Sequence, residues 1–302
     1  MPAINALHGN QSRAGLYFAL AGAITFSLKP ILIKLVYQHG VATETLMALR
    51  MAFAFPIFLI VGWYSSRRTA KTRTLDKRYI LYSMAVGILG YYGAAYFDLL
   101  GLTYITAQFE RMLLFIYPTF VCFLAWLIFS EKISRRLLLA LPLSYGGVVL
   151  IFLHDFSSLG SDAITGSVLV LASALCFAVY FLFSKPCISQ LGSAMFTCIA
   201  MGTASVVIGV HFAFTRPIDD LFLPTPVLML TMLIGVVATA LPAFLISAAI
   251  GRIGASQTSV ITSIGPIATA ALAVSLLGES FTIYHAAGMA MTLGGIVYLS
   301  RE

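Results

Sequence analysis

Among the ionisable side chains set in largely apolar runs are Lys29, Arg50, Asp98, Glu110 and Arg111. The densest stretch is "YFDLLGLTYITAQFERMLLFIYP", residues 96–118, where Asp98 and Glu110 flank Tyr104 at six residues on either side and Arg111 lies one residue deeper. A helical hairpin turning near Tyr104 brings all three within about 10 Å of the turn, at about 1.5 Å of rise per residue. Lys29 is eight residues from the end of the first apolar run and Arg50 is seven residues into the second, so both join the same layer. Three cations against two acids leave one positive charge over. Such a set supports three chemistries: ion pairs that lock the layer, capture of a carboxylate or phosphate by the surplus cation, or carriage of a proton by an acid. In the locking reading, Asp98 pairs with Arg111, and Glu110 with Lys29 or Arg50. Arg111 is the first candidate for ligand contact, because a guanidinium grips a carboxylate through two parallel bonds.

The elements that must hold these charges follow from composition. Of 302 residues, 60% are hydrophobic and only 10% are charged, with mean hydropathy +0.97. Soluble domains carry about 25% charged residues, so the solvent for most of this chain is lipid. Runs long enough to span a bilayer are expected at 16–37, 43–64, 79–100, 106–129, 136–153, 164–184, 193–214, 227–249, 256–277 and 283–300. The runs are continuous rather than alternating, which makes strands of a membrane β-barrel a poor alternative. The connections are short and leave no room for a soluble domain.

The net charge of +7 is unevenly placed. Arg67, Arg68, Lys71, Arg73, Lys77 and Arg78 fill the loop after the second span, and Lys132, Arg135 and Arg136 fill the loop after the fourth. Arg13, Lys185, Arg252 and Arg301 fall on the same side if ten spans alternate, whereas Asp155, Asp162, Asp219, Asp220 and Glu279 fall on the other with Arg216. Basic loops mark the cytoplasmic face. The expectation is a multi-pass protein of the plasma (inner) membrane with both termini cytoplasmic and no nucleic-acid partner. The first fourteen residues are polar and short, so no cleavable signal peptide is expected. The four cysteines lack metal-type spacing and imply no disulfide.

The chain also repeats itself. Pro118 and Pro266, Glu131 and Glu279, and Gly146-Gly147 and Gly294-Gly295 are each 148 residues apart, as are Met84 and Met232 or Gly87 and Gly235. At an offset of 151, Gly15 falls on Gly166, Phe26 on Phe177 and Lys34 on Lys185. Each copy holds five spans, and five is odd, so the second enters the membrane inverted. Inverted repeats accompany alternating-access carriers whose substrate sits at the repeat interface near the midplane. The organisation expected is an all-α integral membrane protein of ten helices. It comprises a cytoplasmic tail (1–14), a first repeat (15–153) and a second repeat (164–302).

The segments "ERMLLFIYPTFVCFLAWLIFSEKIS" and "SVITSIGPIATAALAVSLLGESFT", with the mid-span Pro, the closing Ser-Glu or Gly-Glu and the Gly-Gly of the fifth and tenth spans, carry a likeness to a known family. Over essentially the whole chain apart from the tail, the sequence resembles the drug/metabolite transporter superfamily, specifically its EamA-like exporters. The resemblance implies a ten-helix fold, a central cavity lined mainly by spans 1, 3, 4, 6, 8 and 9, and export of small metabolites.

Candidate cavity residues follow from helical faces. Arg111, Leu114, Phe115 and Pro118 recur at i, i+3, i+4 and i+7, and their counterparts are Ser259, Thr262, Ser263 and Pro266. One wall then offers a cation and an aromatic, the other hydroxyls, although hydroxyl faces also serve plain helix packing. Pro118 and Pro266 each free a backbone carbonyl and are candidate hinges. Tyr91 shares a face with Asp98, Tyr92 adjoins it, and Tyr180 is the counterpart of Lys29. His285 reads as interfacial.

No zincin, nucleophile-elbow, phosphate-loop or Cys/His pattern occurs in the sequence. An enzyme is not expected, nor is a cofactor or a metal. Without an ATP-binding domain, transport has to run on a gradient: the substrate's own, a proton's or a counter-solute's. The function expected is a secondary transporter exporting a small organic metabolite, an amino acid or related carboxylate-bearing solute. A passive channel and a non-transporting membrane scaffold are the alternatives.

Overall fold

The computed structural model describes residues 2–69, 76–130, 135–262 and 264–299, with side chains described for most of these but not for 2–12, 118, 185 and 254–260 among others. The described residues form helices joined by short turns, and no strand occurs among them. Seven helical stretches are long and apolar enough to cross a membrane: Arg13–Tyr37, Thr43–Arg67, Lys77–Gly101, Ala107–Phe129, Ser161–Ser184, Ser193–Thr215 and Thr225–Ile246. The other three expected spans fall on shorter apolar helix, Tyr145–Phe156 and Gly265–Leu277, and on the helix Ile283–Leu299.

α1 (Pro2–Tyr37) begins at a proline, whose missing N–H is no loss at a helix start. No proline follows until Pro30, and the expected tail is helical from Pro2 onward. α2 (Thr43–Thr69) follows a tight turn in which Gly40 takes φ +72. The third expected span is interrupted: α3 (Lys77–Gly87) passes through a π-helical turn, Ile88–Gly93, into α4 (Ala94–Gly101). The fourth is broken outright. α5 (Ala107–Leu114) ends at Phe115 and Ile116, and α6 (Tyr117–Phe129) restarts with Pro118 at its second position. Here the proline opens a new helix instead of kinking an old one, which removes the clash that an interior proline creates.

α7 (Arg135–Leu159), α8 (Ser161–Leu191) and α9 (Ser193–Thr215) follow, separated by the positive-φ glycines Gly160 and Gly192. α10 (Thr225–Gly235) runs through a second π-helical turn, Val236–Ala240, into α11 (Leu241–Thr262). The loop expected near 250–255 is helical, and Arg252 Nη1 donates to the Ala248 carbonyl one turn back at 2.9 Å. α12 (Gly265–Leu272) carries Pro266 at its second position and ends through a π turn, Ala273–Leu277, at Gly278 with φ +67. α13 (Ile283–Leu299) closes the described chain.

Packing is helix on helix. α1 lies against α11 and α12, α2 against α9 and α10, α8 against α4 and α6, and α7 against α13. Several approaches are so close that only glycine fits, two of them at equivalent offsets. A Cβ on Gly87 would stand 2.5 Å from the Ala200 Cα, and one on Gly235 would run into the Arg50 carbonyl. Large apolar side chains such as Ile60, Leu81, Leu127, Val168 and Phe214 point outward, the arrangement expected where hydrocarbon rather than water is the neighbour. Two crossing bonds fix α1 on α12: Ser27 Oγ donates to the Gly265 carbonyl at 3.1 Å, and Thr269 Oγ1 donates to the Ser27 carbonyl at 3.2 Å.

Candidate functional site

The five charges meet. Lys29 from α1 pairs with Asp98 from α4, Nζ to Oδ2 at 2.7 Å. Arg111 from α5 has its Nε 3.9 Å from Glu110 Oε2 and donates through Nη2 to the Phe26 carbonyl at 3.2 Å. The Asp98 and Glu110 carboxyl groups are neighbours, and Arg50 from α2 stands within electrostatic reach of Asp98 and Lys29. The partners differ from those expected: Lys29 rather than Arg111 takes Asp98. Arg111 is spoken for by the α1 backbone at Phe26, where the proline Pro30 four residues on cannot donate to the same carbonyl. The Phe26 ring adds a second attraction, 4.9 Å below the Arg111 guanidinium and 5.7 Å from Lys29 Nζ.

The layer is packed shut: Arg50, Glu110 and Arg111 are at most 2% exposed, Asp98 is 4% and Lys29 is 9%. Yet its hydrogen bonding is incomplete. Arg50 Nε and Nη2, Arg111 Nε and Nη1, Asp98 Oδ1 and Glu110 Oε2 are buried without a hydrogen-bond partner. Leaving charged donors so is costly, at several kcal/mol for a buried ion. A layer tuned only for stability would have paired them.

Two clasps lie beside this layer. Tyr37 Oη donates to the Leu99 carbonyl at 3.0 Å and sits 3.2 Å from Thr43 Oγ1, tying the end of α1 to α4 and α2. Glu279, beyond α12, accepts from the backbone N–H of Ala107 at 2.7 Å and of Gln108 at 3.2 Å, and from Gln108 Nε2 at 3.2 Å. It therefore caps the first turn of α5, where a negative charge is favoured. The cap reaches from the second half of the chain to the helix that bears Glu110 and Arg111.

The aromatic candidates form a separate cluster. Tyr91 sits in the π turn, and its hydroxyl is 3.0 Å from that of Tyr180, with the rings edge to face at 4.9 Å. Tyr180 also stacks on Phe177 and Phe196. Tyr92, one residue on, turns away to His211 Nδ1 at 3.2 Å. Phe115 lies edge-on to Tyr117 and packs by the bare face of Gly265. Thr262 is half-buried at the end of α11, and Pro266 is buried. The Ser259 side chain, the Pro118 side chain and Ser263 lie outside the described residues.

Sequence reasoning did not find Phe26, Tyr37, Glu279 or His211 as site neighbours. Phe26 was within reach, three residues before Lys29 and so on its face; the others depend on contacts far apart in the chain. It also missed a group at the junction of α7 and α13, where His154, Asp155 and His285 converge.

These features define an all-helical, multi-pass membrane protein with an ionic layer inside its bundle. The model of the EamA-like transporter family matches residues 13–153 and again 164–301, and the chain belongs to that family. It is 26% identical over 293 residues to the uncharacterized transporter YcbK of Bacillus subtilis (strain 168), covering 96% of this chain and 92% of that one. An uncharacterized transporter of Synechocystis sp. is 23% identical over 316 residues, covering 97% of this chain and 95% of that one. A solved chain titled only as the crystal structure of a protein superposes with a TM-score of 0.68 at 12% identity, over 95% of this chain and 96% of its own, a likeness of fold alone.

Proposed function

We propose that this protein is a secondary transporter that exports a small carboxylate-bearing metabolite by alternating access. It would be built of ten spans in two inverted five-span halves, with both termini cytoplasmic. Several features support the repeat. The family model matches in two consecutive segments. Two of the three π turns among the described residues begin 148 residues apart, at Ile88 and Val236, as do the two helix restarts bearing Pro118 and Pro266. The tight contacts are reciprocal as well: Gly15 would meet Ile253 and Gly166 would meet Ile105, so each repeat's first span touches the other repeat at matching positions.

The observation that carries the substrate reading is the pair of buried guanidiniums, Arg50 and Arg111, with four nitrogens lacking hydrogen-bond partners between them. In this reading the layer is a closed outer gate. Lys29–Asp98 and the Glu279 cap hold it, and the unused guanidinium donors receive the substrate's carboxylate when the layer parts. The export direction rests on the family resemblance. Proton or counter-solute coupling is left to the acids, Asp98 and Glu110.

The test is counterflow in proteoliposomes with a panel of amino acids and organic acids against their amides and esters. Carboxylates should exchange and their neutral analogues should not. Arg111→Lys should weaken exchange by tenfold or more, since a point charge replaces a two-pronged donor. Equal exchange of acids and amides would overturn the anion reading. Conduction without saturation would mark a passive channel, and no flux under any gradient a scaffold.

A further inference from the structure

The junction of α7 and α13 holds a second constellation, remote in the chain from the charges around Asp98. Gly147 on α7 faces the Gly288 carbonyl on α13 in a contact that leaves no room for a Cβ, so these two helices run unusually close. The close approach lets short side chains meet across it. Asp155 from the last turns of α7 places Oδ1 3.1 Å from Nδ1 of its neighbour His154 and 3.2 Å from Nε2 of His285, in the first turn of α13. The three donor atoms all lie within 4.8 Å of one another.

We propose that His154, Asp155 and His285 form a binding site for a divalent transition-metal ion of the zinc class. Ligands held about 2.0–2.1 Å from a tetrahedral ion stand about 3.3 Å from each other, and the two closest edges of this triangle are near that length. Two imidazoles and one carboxylate are a donor set suited to zinc and its neighbours rather than to calcium or magnesium, which take oxygen. The surroundings fit as well. His285 Nδ1 accepts from the Thr282 N–H at 3.3 Å and stands 2.9 Å from Thr282 Oγ1; metal binding through Nε2 would take the other tautomer, with Nδ1–H donating to that hydroxyl. Such an outer partner fixes the ring for its metal. Asp155 and His285 are buried, whereas the His154 side chain is 27% exposed and marks the way in. Tyr284 and Phe281 rings border the two histidines, at 4.9 Å from His154 and 6.1 Å from His285. A bound ion would staple the last helix of the described chain to α7, joining the two stretches that match the family model.

The test uses the purified full-length protein in detergent, stripped with chelator and then titrated with Zn²⁺. Metal content should reach one ion per chain and the unfolding temperature should rise saturably by several degrees, because a ligand bound only by the folded state stabilises it. Mg²⁺ and Ca²⁺ should do neither. His154→Ala, at the exposed corner of the site, should abolish both responses, each read against the variant's own metal-free unfolding temperature. Co²⁺ added to the unsubstituted chain should give the visible bands of a tetrahedral site, a readout that needs no variant. Absence of a stoichiometric ion, or a Zn²⁺ response that survives in both His154→Ala and His285→Asn, overturns the proposal. So does a stability change that follows pH alone.

Discussion

Lys29 and Tyr180 are counterparts at the offset of 151, and their surroundings differ in kind. Around Lys29 are Asp98, Glu110, Arg50 and Arg111, a layer of charges held by few directional bonds. Around Tyr180 are Tyr91, Phe177, Phe181 and Phe196, rings that meet through broad, weakly directional faces. The backbone beneath the two is largely alike, with a matching π turn and proline restart in each stretch, although the second carries a further π turn, Ala273–Leu277, where the first has plain α-helix. On the proposed carrier reading, the charge layer and the aromatic cluster would act as two mechanically different seals. A charge layer opens in discrete steps, because parting a buried pair leaves both members unsatisfied. An aromatic cluster yields by sliding, because each ring contact is worth only about 0.5–1.5 kcal/mol beyond its buried area.

The largest effect that separates the two should come from Asp98→Asn. Removing one member of a buried pair strands Lys29, and such losses cost about 3–5 kcal/mol. Thermal unfolding in detergent should show the drop, and Lys29→Met added to Asp98→Asn should recover most of it. If the single change is neutral, the layer is no lock and the contrast with the aromatic side fails. A second measurement tests whether the backbone is as alike as it looks. Gly87→Ala and Gly235→Ala each drive a methyl into a facing helix, and overpacking of that sort costs about 1–3 kcal/mol. The two losses should match within the error of the method; a large difference would mean that the two π-turn crossings are not equivalent.

How much of this was legible beforehand depends on the kind of signal. The apolar runs and the offset of 148 residues could be read directly, since both are written in residue types. So was the convergence of Lys29, Arg50, Asp98, Glu110 and Arg111, because depth along a helix follows from counting residues to a turn. The pairing within the layer was not, and Lys29 rather than Arg111 takes Asp98. Which cation reaches which acid depends on helix rotation, and Arg111 is drawn to the Phe26 carbonyl by a contact 85 residues away. The π turns were also hidden: "ILGYYG" and "VVATA" show no breaker that distinguishes one extra residue per turn from an ordinary helix. His285 could be placed near a helix end, but nothing marked Asp155 as its neighbour across 130 residues.

Between the extremes lies Glu279, a charge from the second half acting on the first. Its carboxylate caps the N-terminus of α5 through two backbone N–H groups. Glu279→Gln keeps the shape and removes the charge, and should cost about 1–2 kcal/mol, the upper range for a charge at a partly buried helix end. Under the alternating-access reading the same change should favour the state in which this clasp is open. Cysteine accessibility at Thr106, beside the cap, should therefore rise in Glu279→Gln beyond what the loss of stability explains. Unchanged accessibility would make the cap a fixed part of the fold.

The smallest effect belongs to the aromatic side. Tyr180→Phe removes one hydroxyl that meets Tyr91 at 3.0 Å and leaves every ring contact in place. The net worth of such a bond is about 0.5–1.5 kcal/mol, and Tyr91→Phe should cost about the same. Because the two hydroxyls serve each other, the double variant should cost no more than either single one, a coupling that a double-mutant cycle reads directly. Set against Asp98→Asn, this small and recoverable loss is what a sliding seal predicts. A loss for Tyr180→Phe as large as that for Asp98→Asn would mean that the hydroxyl pair, not the rings, holds this half shut, and the two seals would then be of one kind.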